Sequence, residues 1–248
     1  MSAIGRFLRK YPRLRAAALR LWRLGSGLYP RHLGVPGPNI PLLVRHMVSN
    51  PVPPGAVVEI GGGGSPYRPL LDQLSPAPYV CLDLLPVAET VQVRGDAHRL
   101  PLASSSVSLV TLFEVLEHLH SPEIALAEVA RVLRPGGALI LTVPQYWHVH
   151  GHPSDYFRYT NFGLSHLCKR SGLEVERLWP MGGPAILISL VIANNFGLDR
   201  DPIRRILLCV PMTWLAYLVD ATVFRGFERR ENPDTRGWAL VARKRRER

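Results

Sequence analysis

Hydrophobic residues fall along the chain in short blocks that switch between two periods. Val57–Ile60, Tyr79–Asp83, Val91–Arg94, Ser106–Phe113, Ala138–Val143, Leu173–Leu178 and Gly237–Arg243 are compact apolar runs, many rich in β-branched residues. Runs of that length and makeup, bounded by Gly, Pro and Asp, read as buried strands. Ile40–Met47, Tyr67–Leu74, residues 122–133 and Asn161–Arg170 instead carry apolar residues at helical spacing. Arg134-Pro135-Gly136-Gly137 stops the third of these and Gly172 the fourth. Strands that alternate with helices through short turns predict an α/β chain with a mostly parallel, doubly wound sheet.

The pattern leaves three segments over. Ala185–Phe196 and Ile206–Phe224 are apolar runs between the sixth and seventh strands. By length the second suffices to span a bilayer and the first does not. If both flanking strands share one sheet, the insertion must leave and return on the same side of any membrane. A helical hairpin that packs on the domain or dips into one leaflet is therefore expected, and a buried extra layer or dimer face is the alternative. At the N-terminus, Arg6, Arg9, Lys10, Arg13, Arg15, Arg20 and Arg23 interleave with Phe7, Leu8, Leu14, Leu19, Trp22 and Leu24. No apolar run there is long enough for a signal peptide, and a basic amphipathic helix in a membrane interface fits the pattern. Residues 29–40 and 50–55 are Pro/Gly-rich linkers. The expected organisation is an extension over 1–50 and one domain over 51–248, with an apolar insertion at 184–226 and a basic tail at 243–248.

Charge supports that division. The net charge of +11 is carried by the ends: residues 1–58 hold nine Lys/Arg and no acid, whereas 59–223 are slightly acidic. Basic ends on a mildly acidic middle point to an anionic surface. Cys81, Cys168 and Cys209 are far apart and odd in number, which argues against a disulfide framework and for a reducing compartment. The cytoplasmic face of a membrane is the expected location.

Candidate chemistry begins after the first strand. Val57-Val58-Glu59-Ile60 runs into Gly61-Gly62-Gly63-Gly64-Ser65-Pro66-Tyr67 and then a helical pattern. This strand, glycine turn and helix form a cradle for a nucleotide-type ligand. A dinucleotide fingerprint fails, because Pro66 or Tyr67 stands at its last glycine; a phosphate loop fails for want of a lysine. What remains is acid-x-Gly-x-Gly. Asp83 follows about twenty residues on, where a carboxylate suits a ribose diol. Gly95-Asp96-Ala97-His98-Arg99-Leu100-Pro101, Glu114-Val115-Leu116-Glu117-His118 and Leu133-Arg134-Pro135-Gly136-Gly137 follow in order.

That succession, over roughly residues 56–180 and the last strand, resembles the small-molecule branch of the class I S-adenosylmethionine-dependent methyltransferases. This is the type 11 branch, which includes ubiquinone and menaquinone biosynthesis-like enzymes. The resemblance implies a Rossmann-like, seven-stranded sheet with S-adenosylmethionine as cofactor. It implies that Glu59, Gly61, Gly62 and Gly63 lie under the methionine part. Asp83 would hold the ribose hydroxyls, and Asp96 with the Ala97 backbone would meet the adenine edge. Phe113 and Glu114 would close over the methionine side. Asp96 reads also as a turn former, and Glu117-His118 as a helix start.

The loop after the fifth strand, Pro144–Thr160, is dense in titratable and aromatic groups. It lies past the C-terminal strand ends, where open α/β sheets bind ligands. Methyl transfer from a sulfonium needs alignment, and a base if the acceptor is a hydroxyl. His148, His150 or His152 would supply that base, oriented by Asp155; Tyr156, Arg158 and Tyr159 would shape the acceptor pocket. Asp155 and Arg158 read also as an ion pair pinning the loop, and the whole segment as a lid. The three alternating histidines have metal-ligand spacing, but with no cysteine or second cluster nearby no metal is expected. The expected activity is O-methylation of a small, membrane-derived or lipid-linked acceptor. An RNA methyltransferase and a non-catalytic scaffold at a membrane are the alternatives. The absence of an Asn/Asp-Pro-Pro-Tyr/Phe motif and of a Pro-Cys pair weighs against nucleic acid.

Overall fold

The fold is that of a computed structural model, which describes residues 40–65, 67–72, 74, 78–85, 88–198, 204–224, 226 and 233–245. The expected N-terminal amphipathic helix and the last three residues of the basic tail lie outside these. The chain forms two compact units: Pro36–Met181 with Thr235–Arg248, which carries the sheet, and Met1–Val35 with Gly182–Asp234.

The sheet has seven strands: β1 Ala56–Ile60, β2 Tyr79–Asp83, β3 Val93–Arg94, β4 Val107–Phe113, β5 Leu133–Pro144, β6 Leu173–Pro180 and β7 Gly237–Lys244. Their order is β3-β2-β1-β4-β5-β7-β6, and β7 alone runs against the direction of the other six. β5 starts five residues before the apolar run suggested, because Leu133 already pairs with Val107.

Strand alternation sorts the core into two layers. Val58, Ile60, Val110, Leu112, Leu139, Leu141 and Leu240 face one side. There they meet helices α3 (Pro122–Val132) and α4 (Asn161–Arg170) through Leu126, Val129 and Leu164. Val57, Leu109, Ile140 and Val241 face the other side, against Leu43, Val44 and Met47 of helix α1 (Ile40–Ser49). Central strands buried on both faces explain why they read as unbroken apolar runs. The short helix α2 (Arg68–Leu71) follows the glycine turn. Because α1 belongs to this core, the sheet-bearing unit starts at Pro36 and not at residue 51. Arg243 of β7 fastens the end of α1 by donating to the Asn50 and Pro51 carbonyls while pairing with Glu176.

The insertion unit holds helix α5 (Pro184–Asn195) and helix α6 (Val210–Thr222), the latter preceded by a wider helical turn at Arg205–Cys209. No helix among the described residues is long and apolar enough to cross a membrane. Asp220, the acid that interrupts the second apolar run, has a structural role. Its carboxylate, 7% exposed, accepts from the N–H groups of Gly183 (2.9 Å), Ala185 (3.0 Å) and Ile186 (3.2 Å). A residue of α6 thus caps the N-terminus of α5, whose first turn has no acid or capping side chain of its own. Asp220→Ala should cost about 2–3 kcal/mol of local stability. In hydrogen exchange, the amides of Gly183, Ala185 and Ile186 should lose protection while those of β4 keep theirs.

Candidate active site

Parallel strands bring their C-terminal ends to one edge. Ile60, Asp83, Phe113 and Pro144 therefore open together the turns that the sequence singled out. β1 and β4 are adjacent at the centre, with β2 outward on one side and β5 on the other, so the chain reverses its winding there and leaves a crevice for a ligand.

The glycine turn is built for close approach. Gly61 has φ +70°, and a Cβ on it would stand 2.5 Å from the Val115 side chain. Its N–H donates to Leu82 O (2.8 Å), which folds the turn toward β2. The Gly63 N–H donates to Asp83 Oδ2 at 3.2 Å, so the carboxylate at the end of β2 lies beside the turn. Glu59 departs from expectation. It is 2% exposed and accepts a short hydrogen bond from the Tyr79 hydroxyl, and Ser65 Oγ lies 3.0 Å from that phenol oxygen. Burial pushes its carboxyl above the ordinary range. Glu59 therefore braces the turn from beneath, and contact with a bound molecule falls to the backbone of Gly61, Gly62 and Gly63.

At the next turn, Asp96 Oδ1 accepts from the His98 N–H (2.9 Å) and meets His98 Nδ1 (2.7 Å). The His98 N–H holds the Asp96 carboxyl below its ordinary range. Asp96 is thus a turn former, with the buried Ala97 beside it. Phe113 packs edge-on against Tyr67, with ring centroids 5.1 Å apart. Glu114 follows with φ +55°, a conformation costly for a residue with a Cβ and concentrated at functional sites. Its Oε2 accepts from Arg236 (2.7 Å), while its buried Oε1 has no partner among the described residues.

The 145–160 loop is tied to the sheet through its backbone. The N–H groups of Gln145 and Tyr146 donate to Arg236 O, and those of Tyr156 and Phe157 to Glu117 O. Asp155 does approach His150, 3.4 Å from Nδ1, and accepts from the His150 N–H at 2.8 Å. Yet both its oxygens are gripped by the Arg158 guanidinium, at 2.6 and 2.8 Å, and its side chain is 2% exposed. That pairing holds the Asp155 carboxyl far below its ordinary range. Arg158 also donates to the carbonyls of Trp147 and His148. So Arg158 pins the loop and is not left to hold an acceptor. Tyr159 is corrected likewise: 5% exposed, it sits in the core with its hydroxyl donating to Leu116 O (3.0 Å). His148, His152 and Tyr156 remain at the surface.

Two residues outside the expected site stand at its centre. Glu117 is fully buried, and burial, with the charge of Glu114 second, pushes its carboxyl up to about 8. Its Oε1 lies 3.8 Å from His118 Nε2 and 3.9 Å from His150 Nε2. Arg236, 4% exposed, joins Glu114 to the loop with its guanidinium 5.3 Å from the Trp147 ring centre. The signal for Glu117 was a charge within an apolar motif; for Arg236, remote in sequence, there was none.

Residues 58–141, the span of β1 to β5, match the model of the family described as "Methyltransferase domain". The matched span is that of a methyltransferase domain. The chain is 33% identical over 99 residues to the demethylmenaquinone methyltransferase of Renibacterium salmoninarum, covering 36% of this chain and 41% of that protein. It is 31% identical over 128 residues to an uncharacterised chloroplastic methyltransferase of Arabidopsis thaliana, covering 44% and 36%. The chain spans less than half the length of the curated relatives it matches. In fold it is similar to the Burkholderia thailandensis 1,6-didemethyltoxoflavin-N1-methyltransferase, solved with its substrate and S-adenosylhomocysteine. The TM-score is 0.53 and the identity 16%, over 94% of this chain and 90% of that one.

The residues present fit S-adenosylmethionine. The glycine turn brings the backbone up beside Asp83, a carboxylate for vicinal hydroxyls. The unpartnered Glu114 Oε1 suits an ammonium group.

Proposed function

We propose that the chain is an S-adenosylmethionine-dependent methyltransferase that methylates an oxygen of a small, membrane-derived or lipid-linked acceptor. The observation that carries the cofactor reading is the approach of Asp83 to the Gly63 N–H across the adjacent ends of β1 and β2. S-Adenosylmethionine supplies a methyl group already activated by the positive sulfur. The chain has to hold the cofactor, align an acceptor and remove a proton. The Gly61–Gly63 backbone, Asp83 and Glu114 do the first. His150 is engaged by Asp155 and faces Glu117, so the base is assigned to His148 or His152, the exposed histidines of the loop.

The lipid part of the reading is supported by the insertion unit. On α6, Trp214, Leu215 and Leu218 are each about 60% exposed and share one helical face. Ile188, Val191 and Ile192, exposed by 59%, 52% and 39%, share a face of α5. An apolar face of that kind, in a chain whose two ends are strongly basic in sequence, suits the surface of an anionic membrane.

Calorimetry of the full chain should show binding of S-adenosylmethionine and S-adenosylhomocysteine and none of NAD. Absence of both sulfur ligands would overturn the function. Co-sedimentation with vesicles containing anionic lipid should retain the protein and should weaken in Trp214→Ser/Leu218→Ser; equal retention in that variant would remove the lipid component alone.

A further inference from the structure

Glu117 has no exposed side-chain surface, and neither carboxylate oxygen has a hydrogen-bond partner among the described residues. A carboxylate left so is costly unless something cationic completes it. The Nε2 atoms of His118 and His150 face it within 4 Å, and both rings are oriented from behind. His118 Nδ1 faces the Ser154 carbonyl oxygen in a short contact. His150 Nδ1 is 3.2 Å from the His148 carbonyl oxygen and 3.4 Å from Asp155 Oδ2. A carbonyl or carboxylate can only accept, so each Nδ1 carries the ring proton and each Nε2 offers its lone pair. One carboxylate oxygen and two imidazole lone pairs thus converge, all within 4.8 Å of one another.

We propose that Glu117, His118 and His150 form a binding site for a divalent transition-metal ion of the zinc or manganese class. Two imidazoles and a carboxylate are a donor set suited to such ions. Bonds of about 2.1 Å at tetrahedral angles place ligand atoms about 3.4 Å apart. The separations of 3.8 and 3.9 Å from Glu117 therefore need only a small contraction. The supporting shell is in place. The Ser154 carbonyl and Asp155 hold the outer ring nitrogens, and Arg158 fixes Asp155. Gly151 allows His118 to lie flat against the loop, since a Cβ there would stand 2.8 Å from the imidazole Cε1. His118 and His150 keep 26% and 28% of their side-chain surface, which leaves coordination positions open to water or to an oxygen of a substrate. The site does not depend on which acceptor the enzyme uses.

The test is calorimetric titration of the full chain, freed of metal by a chelator, with Zn2+ and Mn2+, and Co2+ titration followed by visible absorption. One equivalent should bind, with cobalt bands typical of a nitrogen–oxygen site. Glu117→Gln and His150→Ala should each weaken binding more than about a hundredfold, as outer partners alone contribute about 10–100-fold. His166→Ala, on the exposed side of α4, should leave it unchanged. Absence of binding to the wild-type chain overturns the proposal: the cluster then shares a proton in place of a metal ion. Undiminished binding in both ligand variants overturns it as well. S-Adenosylmethionine is titrated into the same samples. Cofactor binding without metal binding removes this inference alone; metal binding without cofactor binding removes the methyltransferase reading alone. Retained cofactor binding in Glu117→Gln shows that the variant is folded.

Discussion

Arg236→Leu should destabilise the sheet-bearing unit by about 3–5 kcal/mol, the range for stripping one partner from a buried ion pair. Arg236 is 4% exposed and donates to Glu114 Oε2 at 2.7 Å. Without it, the Glu114 carboxylate, 12% exposed, stands near the fully buried Glu117 with no cation paired to it. Residue 114 also holds a positive φ, so it has little freedom to turn outward. The loss should appear in denaturant unfolding as a lower midpoint with an unchanged slope. A second substitution separates the two sources of cost. In Arg236→Leu/Glu114→Gln the orphaned charge is gone, and most of the stability should return. If the double variant is as unstable as the single one, the cost lies in lost packing against Trp147 and not in the charge.

Asp83→Ala should weaken S-adenosylmethionine binding by about a hundredfold or more. A carboxylate that accepts from two hydroxyls makes two charge-assisted hydrogen bonds of about 1.5–3 kcal/mol each, and 1.4 kcal/mol is a factor of ten. Alanine also releases the N–H groups of Gly63 and Leu85, both held by Asp83 at 3.2 Å, so the glycine turn loses its brace as well. Asp83→Asn keeps an acceptor and should recover part of the affinity. Calorimetry of the three proteins decides: equal affinity in wild type and Asp83→Ala would remove Asp83 from the ribose site. The unfolding midpoint should move little, because the two lost bonds lie at the rim of the sheet.

The architecture was legible because strands buried on both faces leave unbroken apolar runs, and helices leave a longer period. Asn161–Arg170 even came with its end, marked by Gly172, and the structure adds Thr160 as the cap at its start. The third strand shrank to Val93–Arg94, the two residues in ladder register with Leu82 and Asp83 of β2. Within the site, glycines and strand-end acids were readable because their chemistry is local. Tyr159 and Glu117 were not, since what each does depends on contacts that sequence does not order; for Arg158 the sequence offered an ion pair with Asp155 beside an acceptor contact, and the ion pair is what forms. The Tyr159 hydroxyl seeks a carbonyl 43 positions back. Glu117 looked like the opening of a helix, and a helical turn does form at Leu116–His118, but it points the carboxylate inward. Asp220 shows the same limit: an acid inside an apolar run can mark a membrane defect or a helix cap, and only the position of α5 decides.

β6 and β7 are adjacent and antiparallel, and beyond the last paired residues the Met181 N–H still donates to Gly237 O at 2.8 Å. The insertion therefore departs and returns through a single pair of neighbouring residues, the geometry of a hairpin tip. A tight turn of a few residues suffices to join such ends, and closure entropy grows only slowly with the length of whatever replaces it. The sheet is in this sense a mount with an interchangeable head. The insertion can be exchanged there, by evolution or by grafting, with the pairing of the seven strands left untouched.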